Sequence, residues 1–153
     1  MLEREFSESI DHGDEFIADV GFAPAFTVTI EHDLAEPIAA PGGTRLFRKI
    51  TGGRISGRIE GTLYPDGAGE YSVLRPDGVT EVSTHVILRA QDGQWLYLYN
   101  MGYARPDGYY RVTSWVDADV RGKHDWVAGL FFIGTGKMAA DGRSTTIDYF
   151  EVT

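Results

Sequence analysis

Five Asp-Gly dipeptides punctuate the chain, at 66–67, 77–78, 92–93, 107–108 and 141–142, and three of them follow a proline. Asp-Gly supplies the positive φ angles that tight hairpin turns require, and a preceding Pro presets the entry dihedral. Successive pairs lie 11 to 34 residues apart. All but the last of these gaps are shorter than the ~30 residues that a parallel β-strand pair with its crossover helix needs. The spacing therefore predicts an antiparallel meander and excludes a parallel sheet.

Between the turns, hydrophobicity alternates with period two. From Arg54 to Leu63, polar side chains take the even positions and Ile, Gly or Leu the odd ones. That pattern reads as one long half-buried strand whose glycines mark places where a sheet curls. Residues 26–30, 70–75, 79–90, 94–101, 109–116, 126–136 and 144–152 read as further strands from their β-branched and aromatic content. About eight to ten antiparallel strands, with few helices to cover a face, must close on themselves or pack face to face. The expected fold is all-β, a single antiparallel β-barrel, with a β-sandwich as the alternative. Two runs, 95–99 and 127–133, are apolar at both parities and call for cover on both faces. A partner subunit or the N-terminal segment would provide it, which points to a homo-oligomer.

Charge divides the chain. Of a formal net charge of −9, most belongs to residues 1–19, where seven acids face Arg4 alone. The expected organisation is an acidic leader over 1–20 and a β-barrel domain over 21–153. Within the leader, Leu2, Phe6 and Ile10 recur at a spacing that suits one short amphipathic helix stopped by Gly13. An acidic chain repels phosphate backbones and anionic lipid, so neither nucleic acid nor membrane is an expected partner. There is no Cys, which removes disulfides and thiol chemistry. The start Met-Leu-Glu-Arg-Glu lacks the basic and apolar parts of a signal peptide, so the location reads as cytoplasmic.

Metal and nucleotide chemistry find little support. His12, His32, His85 and His124 have no zinc-like spacing, and the Gly-rich stretches at 41–43 and 134–136 are not followed by a helix that would bind phosphate. No metal and no cofactor are expected. What remains are polar residues set in apolar strands. Glu70 opens a strand after a flexible turn, where a buried carboxylate would serve as a general base. Asn100, the only Asn of the chain, shares the face of Leu96 and Leu98 and must be satisfied by backbone or ligand. His85 lies mid-strand and is suited to proton shuttling. Arg75 and Arg111, each beside tyrosines, are suited to hold a ligand carboxylate or phenolate. Tyr97 and Trp126 belong to an aromatic supply sufficient to line an apolar pocket. A basic stretch, Arg45, Arg48, Lys49, Arg54 and Arg58, reads as a solvated strand face.

Several segments resemble the uncharacterised family known as domain of unknown function 3237, or uncharacterised protein family 0311. They are Gly42-Gly43-Thr44-Arg45; Ile50-Thr51-Gly52-Gly53 with Gly57 and Gly61; Glu70 to Gly78; Asp92-Gly93 with Tyr97, Asn100 and Gly102; and Trp126 with Phe132 to Gly136. The resemblance spans about residues 24–152. It implies a calycin-like antiparallel barrel, often oligomeric, and no settled reaction. Where relatives often carry Asp, Asp-x-Arg-Tyr and Asn, this chain has Glu70, Ser83 to Val86 and Ala128. These departures bear on any site the family shares. The expected function is binding of a small apolar or aromatic molecule, with cofactor-free isomerase, cyclase or lyase chemistry at Glu70, His85 and Asn100. Ligand contacts would come from Arg75, Tyr97, Arg111 and Trp126. The alternatives are a non-catalytic carrier or sensor, and a structural oligomer with a filled barrel.

Overall fold

The computed structural model describes residues 19–153, so the leader helix expected before Gly13 lies outside the described residues. Ten strands follow one another: β1 (Phe22–His32), β2 (Glu36–Ala40), β3 (Gly43–Gly57), β4 (Gly61–Leu63), β5 (Gly69–Leu74), β6 (Thr80–Ala90), β7 (Trp95–Ala104), β8 (Tyr110–Ala118), β9 (Phe132–Met138) and β10 (Ser144–Val152). Every pairing is antiparallel. The ring runs β1-β10-β9-β8-β7-β6, passes through β4 and β5, which share one place, and returns through β3 to β1. The result is a closed eight-stranded barrel and not a sandwich. β2 extends beyond the ring along the edge of β3 and is exposed throughout. Among the described residues no helix is long and apolar enough to cross a membrane.

The Asp-Gly turns carry a different backbone from the one expected. Among the described residues no non-Gly residue has positive φ, whereas Gly78, Gly93, Gly108 and Gly142 do. Each of these glycines donates its N–H to the residue three back, so the turns are type I followed by a left-handed glycine. The aspartate has its own task. Asp77, Asp92, Asp107 and Asp141 each accept the N–H two residues on, an Asx turn that closes the loop. Asp66-Gly67 instead lies in a 3-10 turn, Pro65–Gly67.

Two strand assignments change. The run 54–63 is a hairpin, because Gly57 adopts φ 116° and β4 folds back so that Ile55 pairs with Gly61. The expected strand 126–136 begins only at Phe132; before it, Asp125–Val127 form a 3-10 turn.

Parity along β3 decides what enters the barrel. Against β1, Val28 pairs with Ile55 and Ile30 with Gly53, but His32 pairs with Ile50. Thr51 is the extra residue of a β-bulge, and it switches the inward positions from odd to even. Ile55 and Ile50 are therefore both buried, and Arg48 shares the inward side with Ile50. At one end of the barrel Ile59, Val127, Leu96 and Val116 close a packed apolar core with Phe26, Leu98 and Phe132. The opposite end carries the polar residues.

The turn glycines separate two costs. At Gly108, φ is 92° and an added Cβ meets nothing within 4 Å, so Gly108→Ala is expected to cost only the left-handed strain, about 1–2 kcal/mol. At Gly53 the added Cβ falls 2.1 Å from the Thr29 carbonyl oxygen, and Gly53→Ala is expected to cost roughly 3 kcal/mol or more. Urea denaturation of the two variants would check the ordering.

Candidate functional site

Strand register places a polar band inside the barrel. Arg48 pairs with Glu70, Glu70 with Thr84, Thr84 with Asn100, and Asn100 with Ser114. Inward residues paired across adjacent strands stand side by side on one level. Glu70, Thr84, Asn100 and Ser114 are all buried, and the Arg48 side chain is 13% exposed.

The band has two centres. In the first, Arg48 Nη1 donates to Glu70 Oε1 at 3.0 Å and Ser72 Oγ donates to the same oxygen at 2.7 Å. Ser72 in turn accepts the Ser83 N–H at 3.3 Å. The ladder between β5 and β6 skips this point, with Glu70–Thr84 and Val73–Glu81 paired on either side. Arg48 Nε is buried and has no partner. In the second centre, Asn100 Oδ1 accepts from Ser114 Oγ at 2.5 Å and from Tyr149 Oη at 2.7 Å, while its Nδ2 is buried and unpartnered.

A cavity of about 370 Å³ opens at the polar end, lined by Arg48, Glu70, Val82, Ala104, Tyr110 and Met138, with the 105–109 hairpin and Lys137 at its rim. Tyr110 can lie inward because β9 carries Gly136 opposite it; a Cβ there would stand 2.2 Å from the Tyr110 ring. Burial holds the Tyr110 phenol well above its ordinary range, Glu70 and Tyr149 add to this, and Arg48 opposes it. Burial also raises Tyr149, against the lowering effect of its bonds to Asn100 and Ser114. Both phenols are thus protonated donors near neutral pH.

Of the residues singled out by sequence, only Glu70 and Asn100 join this interior. His85 points outward, stacked on Tyr99 at 4.4 Å and bonded through Nδ1 to Tyr97 Oη at 2.7 Å. The barrel wall separates it from Glu70. Tyr97 belongs to that outer cluster, and burial, followed by Tyr99 and Asp117, raises its phenol. Arg75 sits in the β5–β6 turn on Asp77 and Glu81. Arg111 is exposed on the outer face of β8, near the Tyr109 ring. Trp126 lies at the closed end beneath the Arg58 guanidinium, 3.7 Å from its ring centroid.

Sequence reasoning missed Arg48, Ser72, Ser114 and Tyr149. Gly52-Gly53 was the available signal for the bulge that turns Arg48 inward. Elsewhere, His32 is fixed in the core by Thr145 and the Asp33 carbonyl, and His124 Nε2 lies 3.1 Å from Asp92 at the closed end. Among the described residues no three metal-ligating side chains come together.

Comparison with known proteins agrees with the geometry. The model of a family described as protein of unknown function, DUF3237, matches residues 20–114. A UPF0311 protein of Clostridium acetobutylicum is 31% identical over 102 residues, and the match spans 64% of this chain and 64% of that relative's length. A crystal structure of a protein of unknown function from the same organism superposes with a TM-score of 0.79 at 22% identity, covering 87% of this chain and 99% of that one. Another, described as an enzyme from Penicillium herquei, gives 0.71 at 17% identity, over 88% and 96%. Likeness at that level shows the fold.

The second centre makes a stability prediction. Tyr149→Phe removes one hydroxyl and leaves Asn100 bonded to Ser114, which is expected to cost about 1 kcal/mol. Asn100→Leu strips the acceptor from two buried hydroxyls and is expected to cost roughly 3 kcal/mol. Chemical denaturation measures both, and equal losses would mean that Oδ1 is not the shared acceptor.

Proposed function

The chain belongs to the family of unknown function DUF3237, and from that premise we propose a barrel that takes up a small, largely apolar or aromatic molecule at its open end, with acid–base chemistry at Glu70. The reading rests on one observation: a buried carboxylate, held by a guanidinium and a serine, faces a cavity whose walls are otherwise mostly apolar. Small-molecule sites have this composition, apolar walls with a few placed polar groups. A buried ion pair is also weak evidence for stability, because removing both charges is often neutral or stabilising, so a ligand accounts for it better than packing does. Isomerisation, cyclisation and lyase steps that begin with deprotonation use such a proton acceptor. Arg48 and Tyr110 replace His85 and Arg75 as its companions. That a neighbour of the same fold is described as an enzyme favours catalysis over a carrier without specifying a reaction.

A second copy of the chain is the partner we propose. The outer wall of β6 to β8 presents Ser83, Met101 and Thr113 in one cross-strand row and His85, Tyr99 and Trp115 in the next. Trp115 is 67% exposed, and a groove of about 600 Å³ crosses this face. Glu81 on β6 and Arg111 on β8 flank Tyr103 on β7. A two-fold axis along β7 sets the Glu81 of each copy against the Arg111 of the other, an isologous arrangement.

Two tests follow. A neutral fluorescent dye, N-phenyl-1-naphthylamine, is expected to bind the wild type and to lose at least about tenfold in affinity with Val82→Trp, which fills the cavity. In a mixture of apolar aromatic metabolites followed by NMR, Glu70→Gln is expected to lower turnover by about 10²–10⁴-fold, and His85→Ala to leave it unchanged. Binding without turnover would instead favour the carrier. For the dimer, sedimentation of the full chain is expected to show twice the monomer mass and a monomer for Trp115→Glu. A wild-type monomer eliminates it.

A further inference from the structure

The donors and acceptors of the cavity are unequal in number. Arg48 Nε is buried without a partner, and among the described residues the Tyr110 hydroxyl bonds no protein atom while lining the same space. Lys137 adds a donor at the rim, where the Arg105 guanidinium is already paired with Asp107. Against them stands one carboxylate, Glu70, whose two bonded partners both use Oε1. A ligand seated here must bring an acceptor, since an unsatisfied buried donor costs about 1–3 kcal/mol. A carboxylate ligand would set a second anion beside Glu70, which like-charge repulsion disfavours. An uncharged oxygen does not carry that penalty.

We propose, building on the cavity reading above, that the substrate carries a carbonyl or phenolic oxygen, and that the site holds a single negative charge against Arg48, first on Glu70 and then on that oxygen. Glu70 Oε2 takes the proton. From a phenol, the O–H bond breaks and its electron pair stays on oxygen. From a carbonyl compound, the α C–H bond breaks, its pair becomes the enolate C=C bond, and the C=O π pair moves to oxygen. The oxyanion then accepts from Arg48 Nε and Tyr110 Oη. No redox change occurs and the net charge of the site is constant, so the barrel interior never holds an uncompensated ion. The charged and titratable groups facing Glu70 are Arg48 from β3 and Tyr110 from β8, with Lys137 and the Arg105–Asp107 pair at the rim.

Charge exchange makes a variant-specific prediction. At a single mildly alkaline pH, para-cresol is neutral and pentafluorophenol is ionised, and both are close in size. The wild type is expected to prefer para-cresol, whereas Glu70→Gln is expected to shift the affinity ratio towards pentafluorophenol by at least about tenfold. Adding Arg48→Met to Glu70→Gln is expected to erase that shift. In deuterated water the wild type is expected to speed α-hydrogen exchange of 2-tetralone, and Glu70→Gln to lose about 10²-fold or more of the acceleration. An unchanged ratio in Glu70→Gln, or no acceleration by wild type, overturns the proposal. If the naphthylamine dye still binds and Val82→Trp excludes it, the cavity reading survives that failure. If no dye binds, both fall.

Discussion

Thr51, one residue more than the β1 register can pair, decides what the barrel contains. Past it, β3 presents even positions inward, so Ile50 meets His32 and Arg48 meets Glu70. Without the bulge Arg48 would turn to solvent, and Glu70 would be left buried with only the Ser72 hydroxyl. Stranding one charge of a buried pair costs about 3–5 kcal/mol, a large share of what a domain of this size has in hand. Gly53 permits the switch, because its φ of 140° and the 2.1 Å approach of the Thr29 carbonyl to an added Cβ leave room for no side chain. Cavity, ion pair and register thus share one cause in the backbone.

That cause also explains how much of the protein was legible in its sequence. The barrel follows from turn spacing and period two, which are local. Parity within its own strand sets Asn100 on the face of Leu96 and Leu98, and that face turns out to be the inward one. His85 had the same kind of signal, since Val82, Val86, Leu88 and Ala90 form an inward stripe of even positions. Its outward aim leaves it a surface imidazole in an aromatic cluster. Arg48 was hidden, because an alternation read from residues 54–63 cannot be carried backwards through a bulge. The partners of Asn100 were hidden too. Tyr149 lies 49 residues away, and only barrel closure brings β10 across from β7. The turn backbones were misread for a smaller reason: Asp-Gly serves both primed turns and type I turns with a left-handed glycine, and only φ tells them apart.

The interior is divided along its axis, and the division bears on what a site can do. At the closed end, Leu96, Leu98, Val116, Val127 and Phe132 fill the space with side chains that need no partners. Such packing supplies the favourable area term that a barrel of this size depends on. At the other end the same ring of strands carries an ion pair, two serines, an asparagine and two tyrosines, none of which the fold requires. A core of matched apolar residues at these positions would be at least as stable. The polar end therefore draws on stability generated at the apolar end, and it does so at the one level where the cavity gives access. A carboxylate kept dry and paired beside that cavity differs from one in water in a single respect that matters for chemistry. Its charge can be handed to a neighbouring oxygen without rearranging solvent, because Arg48 and Tyr110 are already in place to receive it.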